Sequence, residues 1–68
     1  MSMENKIEKL RKEQHLTQEM LAKELKVSRQ TIISIERGKY NPSILLAYMI
    51  AKRFDKTIEE VFIFEEEL

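Results

Sequence analysis

The stretch Thr17-Gln18-Glu19-Met20-Leu21-Ala22-Lys23-Glu24-Leu25-Lys26-Val27-Ser28-Arg29-Gln30-Thr31-Ile32-Ile33-Ser34-Ile35-Glu36-Arg37-Gly38 decides the fold. It carries the same helix-starting device twice. Leu16 precedes Thr17 and Leu21 lies four residues after it; Val27 precedes Ser28 and Ile32 lies four residues after it. A hydroxyl side chain in such a place accepts a backbone N–H of the first helical turn, and the flanking apolar pair closes over the entry as a staple. The spacing predicts one helix over Gln18–Leu25 and a second over 29–37, with Gly38 as the left-handed residue that ends it. Only Lys26 and Val27 separate Leu25 from Ser28. Two short helices joined by so tight a turn must cross steeply, which is the helix-turn-helix unit, here residues 17–37.

Outward from this unit the helical period continues. A first helix is predicted over 3–14, with Ile7, Leu10 and Met3 facing inward. A fourth starts near 41–43, where either Asn41 or Ser43 caps, and runs to about 54. Thr57 and Glu60 form a capping box for a short fifth helix ending near Phe62. One glycine and one proline, Gly38 and Pro42, punctuate the chain. The fold class is all-α. Residues 1–64 make one domain and 65–68 an acidic tail, because 68 residues leave no room for a second domain.

Composition excludes several functions. The chain has no cysteine, one histidine (His15) and one glycine. Disulfides, thiolate metal sites, histidine clusters and Gly-rich phosphate loops are therefore ruled out. The longest apolar run, residues 44–51, falls far short of a bilayer span of about 20 residues. No basic segment precedes an apolar one as in a secretory signal. The expectation is a cytoplasmic helical domain with no membrane contact, no cofactor and no catalysis. The carboxylates Glu59, Glu60 and Glu65–Glu67 read as solvated, and His15 as a turn residue. Net charge is zero, but residues 1–53 carry +5 and residues 54–68 carry −5. A basic body suits an anionic partner such as DNA.

Stepping 100° per residue along the third helix gathers Ser28, Thr31, Ile32 and Ile35 on the core side. Arg29, Gln30, Ile33, Ser34 and Arg37 fall on the other. Arginine donates two bonds to guanine O6 and N7, and glutamine bonds adenine N6 and N7. Arg29, Gln30 and Ser34 are thus candidate base contacts, with Ile33 candidate to meet a thymine methyl. Gln18, at the first turn of the second helix, pairs an amide with free backbone N–H groups and is a candidate phosphate contact. Ser28, Arg37, Lys39, Tyr40 and Asn41 complete the phosphate set.

With 41–43 added, these motifs resemble the Cro/repressor (XRE) helix-turn-helix family, and its short stand-alone members in particular, over residues 4–64. The resemblance implies a five-helix lambda-repressor-like domain that binds double-stranded DNA at a pseudo-palindromic operator as a homodimer. By position, it also implies phosphate contacts at Gln18 and Asn41 and base contacts at Arg29, Gln30 and Ser34. Glu36 matches a structural glutamate of the family, expected to pair with an arginine or lysine. Two positions depart from the pattern. Lys26 stands where glycine is common, and Ile33 where a small polar residue is usual.

The fourth helix carries two apolar stripes. Leu46, Ala47, Ile50, Ala51 and Phe54 form the core stripe, and Leu45, Tyr48 and Met49 lie opposite. With Phe62, Ile63 and Phe64 these are the candidate dimer interface, with a short C-terminal β-strand near Ile63 pairing across a twofold axis. A helix apolar on all sides is buried or at an interface. The competing reading is an antitoxin or adaptor of the same fold that docks a protein partner.

Overall fold

The structure, a computed structural model, describes residues 4–64. The predicted inward Met3 and the acidic tail at 65–68 lie outside these. The described residues form α1 (Ile7–Glu13), α2 (Gln18–Leu25), α3 (Arg29–Glu36), α4 (Ile44–Arg53) and α5 (Ile58–Val61).

Each of the last four helices starts on the hydroxyl that the sequence marks. Thr17 Oγ1 accepts from Met20 N at 3.0 Å, Ser28 Oγ from Thr31 N at 3.1 Å, and Ser43 Oγ from Leu46 N at 3.1 Å. Of the two candidates for α4, Ser43 is therefore the cap. The capping box of α5 is complete: Glu60 N donates to Thr57 Oγ1 at 3.2 Å and Thr57 N to Glu60 Oε1 at 2.9 Å. The bond from the Thr57 backbone, then that from its side chain, holds the Glu60 carboxyl below its ordinary range.

The helix ends share one closure. Leu16 N reaches back to Arg11 O at 2.9 Å, Val27 N to Ala22 O at 3.0 Å, Lys39 N to Ser34 O at 3.0 Å and Lys56 N to Ala51 O at 2.9 Å. The turning residue in each case is left-handed: His15, Lys26, Gly38 and Asp55, with φ of 58°, 59°, 72° and 57°. For a side chain with a Cβ this conformation costs roughly 1–2 kcal/mol. Lys26 thus adopts the turn that glycine makes elsewhere, and keeps the bond that closes it. Lys26→Gly should relieve the strain, offset in part by glycine's greater freedom when unfolded. A net gain of about 0.5–1 kcal/mol raises Tm by roughly 2–8 °C in a domain of this size. A thermal melt checks this, and a lowered Tm would mean that the lysine side chain makes a stabilising contact.

The core follows the predicted stripes except at Ser28, which is exposed because it caps α3, and at Thr31 and Leu46, which are only half-buried. Leu21, Ala22 and Leu25 of α2, Ile32 and Ile35 of α3, and Ala47, Ile50 and Ala51 of α4 are buried together with Ile7, Leu10 and Phe54.

Two expectations need correction. α1 begins at Ile7, not at residue 3, because the chain before it is paired. Lys6 N donates to Val61 O and Ile63 N to Glu4 O, both at 2.8 Å, around an antiparallel bridge between Asn5 and Phe62. Asn5 secures the junction: its Nδ2 donates to Ile35 O at 2.8 Å and its Oδ1 accepts from Ile7 N at 3.2 Å. The same clasp explains the second correction. Phe62 is only 1% exposed and belongs to the core, so it has no surface to offer a second copy.

Candidate nucleic-acid interface

α3 buries Ile32 and Ile35 and turns its other face outward. Arg29, Gln30 and Arg37 are exposed, whereas Ile33 and Ser34 are half-buried. Ile33 therefore presents part of its side chain between polar neighbours. Gln30 Nε2 lies 3.4 Å from Ser34 Oγ, one turn along, so the two polar groups sit side by side on this face. The Ser28 hydroxyl is occupied at the start of the helix, where it caps Thr31 N and shares a 2.8 Å hydrogen bond with Thr31 Oγ1. After α3 ends at its left-handed glycine, the side chains of Lys39, Tyr40 and Asn41 are exposed in the loop leading to α4.

The packing of α2 against α3 brings Gln18 beside both ends of α3. Gln18 Oε1 accepts from Arg29 Nη2 at 3.4 Å, and Gln18 Nε2 donates to Glu36 Oε1 at 3.1 Å. Glu36 is in turn gripped by Arg11, with Nε to Oε2 at 2.8 Å and Nη2 to Oε1 at 3.3 Å. Arg11 spends its remaining limb on Leu16 O at 2.8 Å. The side chains of this ion pair are 8% and 5% exposed. The pairing expected of Glu36 is therefore present, and its partner is Arg11 of α1. Arg11 was missed as a site residue. The signal was its spacing, since Ile7, Leu10 and Arg11 occupy one inward stripe.

The second apolar stripe of α4 is exposed, with Leu45 at 65% and Tyr48 and Met49 beside it. Ile44, Ile63 and Phe64 are exposed as well. The Lys52 ammonium stands 5.9 Å from the centre of the Tyr48 ring, which leaves this face mixed at its end. Among the described residues no group of three or more His, Cys, Asp or Glu is placed to hold a metal, and no helix is long and apolar enough to cross a membrane.

This geometry coincides with a family match: a helix-turn-helix family model fits residues 7–61, from the first residue of α1 to the last of α5. The chain belongs to the XRE-type helix-turn-helix family. An uncharacterized HTH-type transcriptional regulator of Methanocaldococcus jannaschii is 57% identical to this helix-turn-helix protein, over 96% of this chain and 98% of its own. The HTH-type regulator YgzD of Bacillus subtilis is 46% identical over 96% and 98%. The transcriptional activator BcrR of Enterococcus faecalis is 41% identical over 97% of this chain but 32% of its own length, so the likeness covers one part of a longer protein. A solved structure from Bacteroides fragilis superposes with a TM-score of 0.77 at 23% identity, covering 88% of this chain and 97% of the other. That likeness concerns the fold alone.

Proposed function

We propose that this helix-turn-helix protein is a sequence-specific transcriptional regulator that lays α3 in the major groove of double-stranded DNA. The observation that carries the reading is the exposed first turn of α3, where Arg29 and Gln30 stand out from a helix anchored on its other side by Ile32 and Ile35. The first turn of a recognition helix is where base edges are met. Arg29 addresses a guanine and Gln30 an adenine, with Ser34 one turn further and Ile33 against a thymine methyl. Phosphates are held by Arg37, Lys39, Tyr40 and Asn41, and by the N-terminal turns of α2 and α3 around Gln18 and Ser28.

The protein acts as a homodimer, with Leu45, Tyr48, Met49, Ile63 and Phe64 at the twofold contact, and represses by occupying its operator in the cytoplasm. It uses no cofactor and catalyses no reaction. The exposed apolar stripe of α4 supports the dimer, and it is equally the feature that favours an antitoxin or adaptor role should DNA selection fail.

Selection of bound duplexes from a random library tests the proposal. The expected product is an inverted repeat with half-sites about one turn, roughly 34 Å, apart. Arg29→Ala should then weaken binding to the recovered site by about 1–3 kcal/mol and relax the choice of one base pair. Titration against the site and its single-pair variants measures this. An equal loss on random duplex would remove Arg29 from base reading. No enrichment of any sequence would overturn the DNA reading in favour of a protein partner. A promoter reporter carrying the site tells repression from activation.

A further inference from the structure

An open cleft of about 740 Å³ lies between the end of α1 and the start of α2 and reaches Arg29 of α3. Gln18, a proposed phosphate contact, shares its wall, so the cleft is continuous with the face proposed to meet DNA. Its other charged lining is Glu8, Arg11 and Lys12 of α1 and Glu19 of α2, with His15 in the turn between the two helices. Arg11 is already taken up by Glu36. What remains is two cations, Lys12 and Arg29, against two carboxylates, Glu8 and Glu19. Lys12 and Glu8 meet at 3.7 Å, but both side chains are exposed and water weakens the pair. The lining is thus balanced, and one more charge decides its sign. His15 is placed to supply it. Its imidazole is exposed and takes part in no hydrogen bond or ion pair among the described residues. Imidazole is the side chain that ordinarily changes charge between pH 5 and 8.

We infer that His15 gives the DNA interface a proton-dependent phosphate contact: as imidazolium it turns the cleft positive and holds a phosphate on the α1 side of the interface. The inference rests on the proposed DNA reading. With Glu8 and Glu19 on its rim, the balanced cleft offers a phosphodiester no net attraction. Imidazolium adds the surplus charge and an N–H donor on each ring nitrogen. A phosphate carries no sequence. Protonation therefore tightens binding to every duplex alike and leaves the choice of bases unchanged. The linkage is reciprocal: DNA holds the proton on the ring, so the ring releases it at higher pH in the complex than in the free protein. The added affinity is complete at low pH and is lost as pH rises through the titration of the complexed ring.

His15→Asn is the control, because asparagine tolerates the left-handed backbone of this turn (φ 58°) and never takes a proton. Wild type and variant are titrated at about pH 5.5 and about pH 8, a range above that in which carboxylates ordinarily take up protons. Each is measured against the selected operator and a random duplex at several salt concentrations, and melts at both pH values show that both proteins are folded. Wild type should bind both duplexes more tightly at the lower pH, by up to about eightfold per protomer at about 0.1 M salt, the counterion release of one phosphate contact. Its salt dependence should steepen by about 0.9 per protomer over the same range. His15→Asn should show neither change and should match wild type at the higher pH. The chain has a single histidine, so NMR follows this ring alone. Its titration midpoint should rise by up to about 0.9 pH unit when the operator is added.

The same pH dependence in wild type and His15→Asn overturns the inference, as does a midpoint that the operator leaves unmoved. A gain confined to the operator makes His15 a reader of bases and overturns the phosphate role. A midpoint raised as far by inorganic phosphate at matched ionic strength makes the cleft a site for free anions and removes it from the DNA interface. If wild type fails to distinguish the operator from random duplex at either pH, the DNA reading falls and this role falls with it. If it distinguishes them and only the pH effect is missing, this inference falls alone.

Discussion

Glu36→Ala should remove about 3–5 kcal/mol of stability, the cost of leaving a buried charge without its partner. A domain of 68 residues has roughly 3–10 kcal/mol to lose, so the variant should lose from about a third to all of its stability. The reason is burial. Arg11, 7% exposed, would retain only the Leu16 carbonyl for its guanidinium, and Gln18 would lose its acceptor. The molecule supplies its own control. Arg53 Nε meets Glu24 Oε2 at 2.8 Å, the same separation as Arg11 and Glu36, but those side chains are 30% and 46% exposed. Water replaces a lost partner there, and Glu24→Ala should cost at most about 1 kcal/mol. Denaturant titration of both variants measures the contrast. Equal losses would show that distance, not desolvation, governs the two pairs.

Phe62→Ala should cost a further class of folding energy, about 3–5 kcal/mol for a buried phenyl ring replaced by a methyl group. Phe62 is 1% exposed, and its backbone sits in the clasp with residues 4–6. Leu45→Ala removes a comparable apolar side chain from an exposed place on α4. It should leave the unfolding of a single copy within about 0.5 kcal/mol of wild type. If the proposed dimer forms, Leu45→Ala instead alters how the melting temperature depends on protein concentration. A Phe62→Ala protein that melts like wild type but no longer self-associates would return Phe62 to the interface.

The two variants mark the line between what a sequence makes legible and what it does not. Thr17, Ser28 and Thr57 announce their helices because a cap acts over three residues, and the bounds of α2 follow from that alone. The outward placement of Arg29 and Gln30 is equally local, a matter of 100° steps. Phe62 is different. A four-residue helix presents too little periodicity to tell core from interface, and its burial depends on a bridge to Asn5. Likewise α1 starts late because Lys6 is held by Val61, a partner no local pattern reveals. Arg11 lay on the inward stripe, but its role needed Glu36 of α3 beside it. The link from Gln18 to Arg29 depends on how α2 and α3 cross, which the two-residue turn makes steep without fixing which side chains touch.

The clasp between residues 4–6 and 61–63 also bears on synthesis. Val61 and Ile63 leave the ribosome last among the groups that complete the entrance to α1. At about 5–20 residues per second, the nascent chain carries its whole 17–37 unit for a few seconds before that entrance can close. A product stopped short of Val61 has every residue proposed to read bases or hold phosphates, yet it has a hollow where the Phe62 ring belongs and no acceptor at Val61 for Lys6. Such a fragment should spend more time open than the whole chain and be cut faster in a limited-proteolysis time course.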